Sequence, residues 1–250
     1  MINTVKILEY SAASNKASAQ KLNYNGDHDI RPTMAVKDMI GQYGFNVVSV
    51  RDISNLALDI LNEELVKVGF KMYISPFYVF EKNKGRFSCL SALFVHRSVP
   101  FAQIIENSCC DTEYRYICGK MGLGNSILFY RTSHVPGMDE ERGHLKKQRQ
   151  RKESMLRADV LFQYEHNEDI ALASGDYNGS ETEDCYLKEI YKEFVFKDTV
   201  FEPTYEKRYL DHVFVSDGLC RAGISVKTEV LDDYYMYYSD HKMIAVTLST

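Results

Sequence analysis

The sequence predicts a mixed α/β or α+β protein built on a layered sheet core. Three observations carry that expectation. Short apolar runs and amphipathic segments alternate along all 250 residues, which is the mark of strands and helices packed in layers. The middle of the chain carries hairpin signals. No repeat, low-complexity tract or shift in composition marks a boundary, so residues 1–250 are expected to form a single domain, a size that layered α/β folds reach. An apolar fraction of 45% and a charged fraction of 26% exclude a disordered, collagen-like or coiled-coil chain. No stretch approaches the ~20 apolar residues of a membrane span.

Residues 5–10 read as a short buried strand, and the polar stretch 11–32 as a long loop of the kind that carries function. Thr33 is placed to cap a helix running to Tyr43, with Met34, Met39, Ile40 and Tyr43 near helical spacing and Gly44 as its stop. Residues 46–50 follow as a strand with Arg51-Asp52 at its end. Ser54 caps a second helix whose apolar face is Leu56, Ile60, Leu61, Leu65 and Val68, ended by Gly69. Residues 70–80 and 87–96 read as partner strands around the turn Lys82-Asn83-Lys84-Gly85. Residues 114–121 and 126–132 flank Gly122-Leu123-Gly124-Asn125, a hairpin signal. Residues 138–166 form the longest helical segment, basic in its first half and apolar at Met155, Leu156, Val160 and Leu161 in its second. A strand at 170–174 ends in Gly175-Asp176-Tyr177-Asn178-Gly179. Residues 183–194 read as helix, and 210–216, 224–231 and 243–248 as strands.

Net charge is −5 and the pI about 5.8, so the chain does not advertise the basic surface of a passive nucleic-acid binder. A metal-dependent site, which concentrates carboxylates, is compatible with that balance. The six cysteines include no C-x-x-C pair, which argues against a zinc ribbon or a thioredoxin motif. Residues 1–14 lack the apolar core of a signal peptide, so a reducing, cytoplasmic setting with free thiols is expected, with no membrane partner.

Polar residues gather where strands end: Asp52 after one, His134 after another, Asp176 and Asn178 after a third. Asp211 opens a strand and Asp240-His241 precedes the last. Loops at strand ends held by a rigid sheet are where sites form. Several carboxylates, two histidines and an amide suit a hydrolase using Mg²⁺ or Mn²⁺, since hard cations prefer oxygen ligands. Singly, each is weak. G-D-x-N is also a plain turn, S-D-H an exposed cap, and Asp211 a surface partner for Arg208.

Their order is more specific. V-K-I-L-E-Y at 5–10, V-V-S-V-R-D at 47–52, L-S-A-L-F-V-H-R at 90–97, R-T-S-H-V-P at 131–136, A-S-G-D-Y-N at 173–178, Y-L-D-H-V-F-V-S at 209–216 and Y-S-D-H-K-M-I-A-V-T-L at 238–248 together span the chain. This series resembles the endonuclease/exonuclease/phosphatase superfamily, the fold of deoxyribonuclease I and exonuclease III. The resemblance implies a four-layer α/β sandwich: two mixed sheets face to face, helices outside, the site at one edge. It implies catalytic roles for His134, Asp176, Asn178, Asp211 and His241. Asp176 would activate water, Asn178 hold that water or a phosphate oxygen, His241 contact the phosphate, His134 sit near the leaving group and Asp211 orient a histidine. Asp52 and Asp240 would serve the metal.

Two positions depart from the family pattern. Ser11 stands where the first strand usually ends in Asn, and Arg51-Asp52 where the second usually ends in Gln-Glu. Ser11 and Asn15 are then the candidates to fill the gap at the substrate and metal side. Weak metal binding with a preference for Mn²⁺ is expected. The activity implied is divalent-metal-dependent phosphodiester hydrolysis with nucleic acid, DNA foremost, as substrate. Tyr24, Lys84, Arg86 and the basic helix at 144–152 could line a groove for it. The alternatives are hydrolysis of a small phosphorylated ligand such as an inositol phosphate or nucleotide, and a catalytically weakened binding protein on the same fold.

Overall fold

Period-two alternation sorts the strand residues between an inner and an outer face, and the whole architecture follows from that sorting. In the first strand, β1 (Thr4–Ser11), Val5 and Ile7 point one way, while Leu8 and Tyr10 point the other into a separate apolar cluster. A computed structural model describes residues 2–12, 30–74, 90–105, 115–137, 145–180, 187–232 and 239–250. Its further elements are α1 (Arg31–Tyr43), β2 (Val47–Ile53), α2 (Asn55–Lys67), β3 (Phe70–Ile74), β4 (Leu90–His96), β5 (Phe101–Ile104), β6 (Tyr116–Leu123), β7 (Ser126–His134), α3 (Leu145–Glu165), β8 (Ala171–Asp176), α4 (Lys188–Tyr191), β9 (Lys197–Asp198), β10 (Asp211–Val215), α5 (Asp217–Arg221), β11 (Ser225–Leu231) and β12 (Met243–Ser249).

The strands form two six-stranded mixed sheets, ordered β11-β12-β1-β2-β4-β3 and β5-β6-β7-β8-β10-β9. Three apolar clusters separate the layers. One lies between the sheets, built from Val5, Ile7, Val47, Leu93, Leu172, Val213, Ile244 and Val246 among others. Another packs α1 and α2 on the outer face of the first sheet. The third packs α3 and α4 on the outer face of the second. This is the expected four-layer sandwich. β1 and β2 run parallel, as do β7 and β8, while β10 and β12 run antiparallel to their neighbours. The ends of β1, β2, β7 and β8 and the starts of β10 and β12 therefore lie at one edge of the sandwich.

Several local expectations change. Thr33 does not cap α1. The helix begins at Arg31 behind Ile30, because Pro32, whose fixed φ suits the first turn, starts it earlier; Thr33 is buried within that turn. Gly44 does stop α1, in a left-handed conformation at φ 68°. Ser54 caps α2 by accepting from the Ala57 amide at 3.1 Å. The buried face of α2 is Ala57, Leu58, Leu61 and Leu65, an i, i+3, i+4 stripe that leaves Leu56 and Val68 exposed. In the β6–β7 hairpin Leu123 pairs with Ser126, so the strands absorb Gly122 and Leu123 and the turn shrinks to Gly124-Asn125. Within residues 187–194 only Lys188–Tyr191 is helical. The short elements β5, β9 and α5 carried too little periodicity to read from sequence.

Asn15, Tyr24, Lys84 and Arg86 lie outside the described residues, as do the turn at 82–85, residues 138–144 of the basic segment and residues 183–186 of the expected helix. No helix among the described residues is long and apolar enough to cross a membrane.

Candidate active site

The inner faces of the two sheets change character along the strands. At one end the gap is filled by aliphatic side chains. Toward the other, the same alternating rows continue as polar residues: Glu9 and Ser11 in β1, Ser49 and Arg51 in β2, Thr132 and His134 in β7, Ser174 and Asp176 in β8, and Asp211 at the start of β10. All nine are buried. Ser49 and Thr132 join across the gap at 2.7 Å, tying one sheet to the other. Buried polar groups on this scale require partners, and here they find one another.

Strand register sets the centre of the site. His134 pairs with Asp176 across β7 and β8, and Asp176 with Asp211 across β8 and β10. His134 Nε2 lies 3.8 Å from Asp176 Oδ2. His241 reaches in from the turn before β12, its Nδ1 2.8 Å from Asp211 Oδ2. That turn is fixed by Ser239, whose hydroxyl donates to the Ser11 carbonyl at 2.6 Å and accepts from the His241 amide at 3.0 Å. Thr204 holds the start of β10 by accepting from the Asp211 amide at 3.0 Å. Among the described residues, the metal-ligand-type atoms that gather within 4.8 Å of one another belong to Asp176, Asp211 and His241.

The loop after β8 needs special backbone geometry. Gly175 has φ 153°, and a Cβ there would lie 2.0 Å from the Ser133 carbonyl oxygen, so only glycine lets β8 sit this close to β7. Asn178 is left-handed at φ 49°. Its amide donates to Asp176 Oδ1 at 2.8 Å and its side chain to the Val135 carbonyl at 2.8 Å. Lys152 of α3, buried despite its charge, donates to the Asn178 carbonyl at 3.0 Å.

Burial and neighbouring charge push the proton affinities apart. Asp176 is raised to about 6 by burial and by Asp211, against His241, Arg51 and the Asn178 amide. Burial favours a neutral His241, but Asp211 and Asp176 outweigh it and raise that ring to about 9. His134 falls well below the usual histidine value through burial and the charges of Arg115, Arg51 and His241. Asp211 is lowered despite burial, by His241, Arg51 and Thr204. The site thus holds a neutral histidine, a cationic histidine and a carboxyl that titrates near neutrality, a combination suited to proton transfer.

The structure brings His134, Asp176, Asn178, Asp211 and His241 into one cluster. Asp211 pairs with His241 and Arg51 rather than with Arg208. Ser11 is buried at the end of β1, beside Arg51 in register. Asp52 is buried at a bulge between Val50 and Ile53, with φ 50°, and Asp240 is buried next to His241; neither joins the group of three within 4.8 Å. The carboxylates of Asp176 and Asp211 suit a hard divalent ion and would hold it, with His241, protonated and paired to Asp211 through Nδ1, beside them.

Glu9 and Arg51 are site residues that the sequence reading did not assign. Arg51 bridges the Glu9 carboxylate and Asp211 Oδ1, the latter at 3.2 Å. Glu9 also accepts from Tyr130 and Ser174, each at 2.5 Å. The signal was available in the alternation: a charged residue two positions after Ile7, and another two after Ser49, continue inward-facing rows.

No family model and no curated protein matches the chain. Solved structures do. D. rerio TDP2, humanized by 14 mutations, superposes with a TM-score of 0.71 at 15% identity, over 99% of this chain and all of that one. The human nocturnin catalytic domain, with bound sulfate, gives 0.67 at 15% identity over 99% and 93% of the two chains. A mannosyl-6-phosphatase from Bacteroides thetaiotaomicron gives 0.66 at 16% identity over 98% and 100%. The same match extends to proteins described as endonuclease/exonuclease/phosphatase family members. The chain therefore has the endonuclease/exonuclease/phosphatase fold, and its polar cluster lies where the two sheets of that fold meet.

Proposed function

We propose that the protein is a divalent-metal-dependent phosphodiesterase that hydrolyses DNA. The observation that carries the reading is the convergence of His134, Asp176, Asp211 and His241, from four separate segments, on one edge of the sandwich. A bound divalent ion would supply counter-charge for phosphoryl oxygens and polarise the phosphorus centre. The chain's own residues do the rest. Asp176, ionised above about pH 6, accepts the proton of an attacking water. The Asn178 amide fixes Asp176 Oδ1, which leaves Oδ2, on the His134 side, for that proton. Asp211 holds His241 through Nδ1 in its cationic form, so Nε2 is the nitrogen that can donate to a phosphoryl oxygen. His134, neutral, can accept a proton or a hydrogen bond beside the leaving oxygen, and the cationic His241 is the histidine that carries a proton to give.

Two further facts favour a polyanionic substrate. Lys146, Lys147 and Arg149 are exposed on α3, the helix whose Lys152 touches the Asn178 loop, so the helix that reaches the site carries exposed basic residues on a chain that is acidic overall. A structure of D. rerio TDP2 that shares the fold, at a TM-score of 0.67, was solved with single-strand DNA product. The test is direct. Purified protein is incubated with plasmid, single-stranded DNA, RNA and a sugar phosphate, each with Mg²⁺, Mn²⁺ or EDTA. Metal-dependent cleavage of DNA is expected. Phosphate release from the sugar phosphate with DNA left intact would move the substrate class, and no turnover of any phosphoester would remove the activity.

A further inference from the structure

Arg51 takes no part in the proposed proton transfers, yet it lies at the heart of the cluster. It is 1% exposed, and its guanidinium lies between two carboxylates, Glu9 on one side and Asp211 on the other. Its Nε has no hydrogen-bond partner among the described residues. Behind it Glu9 is saturated: Arg51, Tyr130 and Ser174 all donate to it. In front, Asp211 gives one oxygen to Arg51 and the other to His241. A continuous chain of charge-assisted hydrogen bonds thus runs from the inter-sheet core to the histidine. An arginine in such a place stays charged at every working pH and cannot rotate away.

From this we infer that Arg51 is a built-in cation of the site: it shares Asp211 with any divalent ion and holds that ion's affinity down. An ion at the Asp176–Asp211–His241 group would meet a carboxylate already paired to a guanidinium at 3.2 Å. A single and a double positive charge some 6 Å apart repel, even at the dielectric constant of water, by enough to change affinity about tenfold, and by more in a buried site. Glu9, on the far side of Arg51 from Asp211, anchors the guanidinium. The inference rests on the metal-dependent reading of the site, but it concerns ion binding and not turnover.

Mn²⁺ binding to the substrate-free protein, measured by calorimetry and by the electron paramagnetic resonance of free Mn²⁺, tests it. Arg51→Gln should bind Mn²⁺ at least about tenfold more tightly than wild type, and Arg51→Lys, which keeps the charge, should stay near wild type. Arg51→Gln leaves the buried Glu9 without its counter-charge, held by Tyr130 and Ser174. The double variant Glu9→Gln with Arg51→Gln removes both charges while keeping polar groups in place, and it too should bind more tightly. Equal Mn²⁺ affinity in wild type and both glutamine variants, or no binding by any of them, overturns the inference. DNA cleavage assayed alongside reports on the proposed activity separately: a wild type that cleaves DNA while the variants bind Mn²⁺ no better defeats only the role of Arg51.

Discussion

At neutral pH Asp176 carries its charge against the preference of its surroundings. Its proton affinity in the folded protein corresponds to about 6, above the ordinary carboxylate value of 3.8, because burial and Asp211 disfavour the anion. A raised carboxyl favours the folded state at low pH and disfavours it once the group is ionised, so Asp176 costs stability above about pH 6. Asp176→Asn should therefore gain up to about 3 kcal/mol at pH 8, at about 1.4 kcal/mol per tenfold change in proton affinity, while losing the proposed hydrolytic activity. Urea unfolding of the two proteins in EDTA measures this; an unchanged or lowered stability would show that Asp176 is at ease where it lies. His241 has the opposite sign. Its folded value of about 9 exceeds the ordinary 6.5, so its stabilising contribution is complete below pH 6.5 and is lost as pH rises through 9. In EDTA the wild type should lose up to about 3 kcal/mol over that range relative to His241→Gln. Parallel pH profiles for the two proteins would contradict the Asp211–His241 pairing.

At the scale of elements, the site depends on how closely β7 and β8 approach. Gly175 makes that approach possible, since any Cβ would press on the Ser133 carbonyl. Gly175→Ala should destabilise the fold by about 3 kcal/mol or more, strain and overpacking combined, and should separate His134 from Asp176. Thermal unfolding checks the first effect, and a melting temperature within a degree of wild type would refute it. Element scale is also where sequence reading succeeds and fails for identifiable reasons. Long periodic segments such as α2 and α3 were legible, as was the strand-end placement of Asp176, Asp211 and His241, because turn residues and alternation mark them. The face of α2 was misjudged at Leu56 and Val68, since hydrophobic residues at helix ends fit more than one stripe until the partner sheet is known. Thr33 looked like a cap because hydroxyls favour that position, yet Pro32 had already started the helix. Glu9 was passed over inside an apolar run. Its partners, Arg51, Tyr130 and Ser174, come from three other strands, and nothing local announces that such a carboxylate will be neutralised.

At the scale of the whole molecule, neither sheet alone contains a site. The first sheet supplies Glu9 and Arg51, together with the turn before β12 that carries His241, and the second supplies His134, Asp176 and Asp211. The aliphatic layer that holds the sheets together sets the spacing across which these groups meet, so the hydrophobic core also determines the chemistry. The order of motifs along the chain made this assembly legible at the level of the fold. The proposed role of the Asp176–Asp211–His241 cluster is the hydrolysis of phosphodiesters. It is tested most directly by the rate at which wild type, Asp176→Asn and His241→Ala, purified in parallel, cleave an end-labelled single-stranded DNA in Mn²⁺ and in EDTA. Cleavage by wild type in Mn²⁺ alone is expected, with both variants folded and slower by about 100-fold or more. Equal rates in all three proteins, or wild-type cleavage undiminished by EDTA, would contradict it.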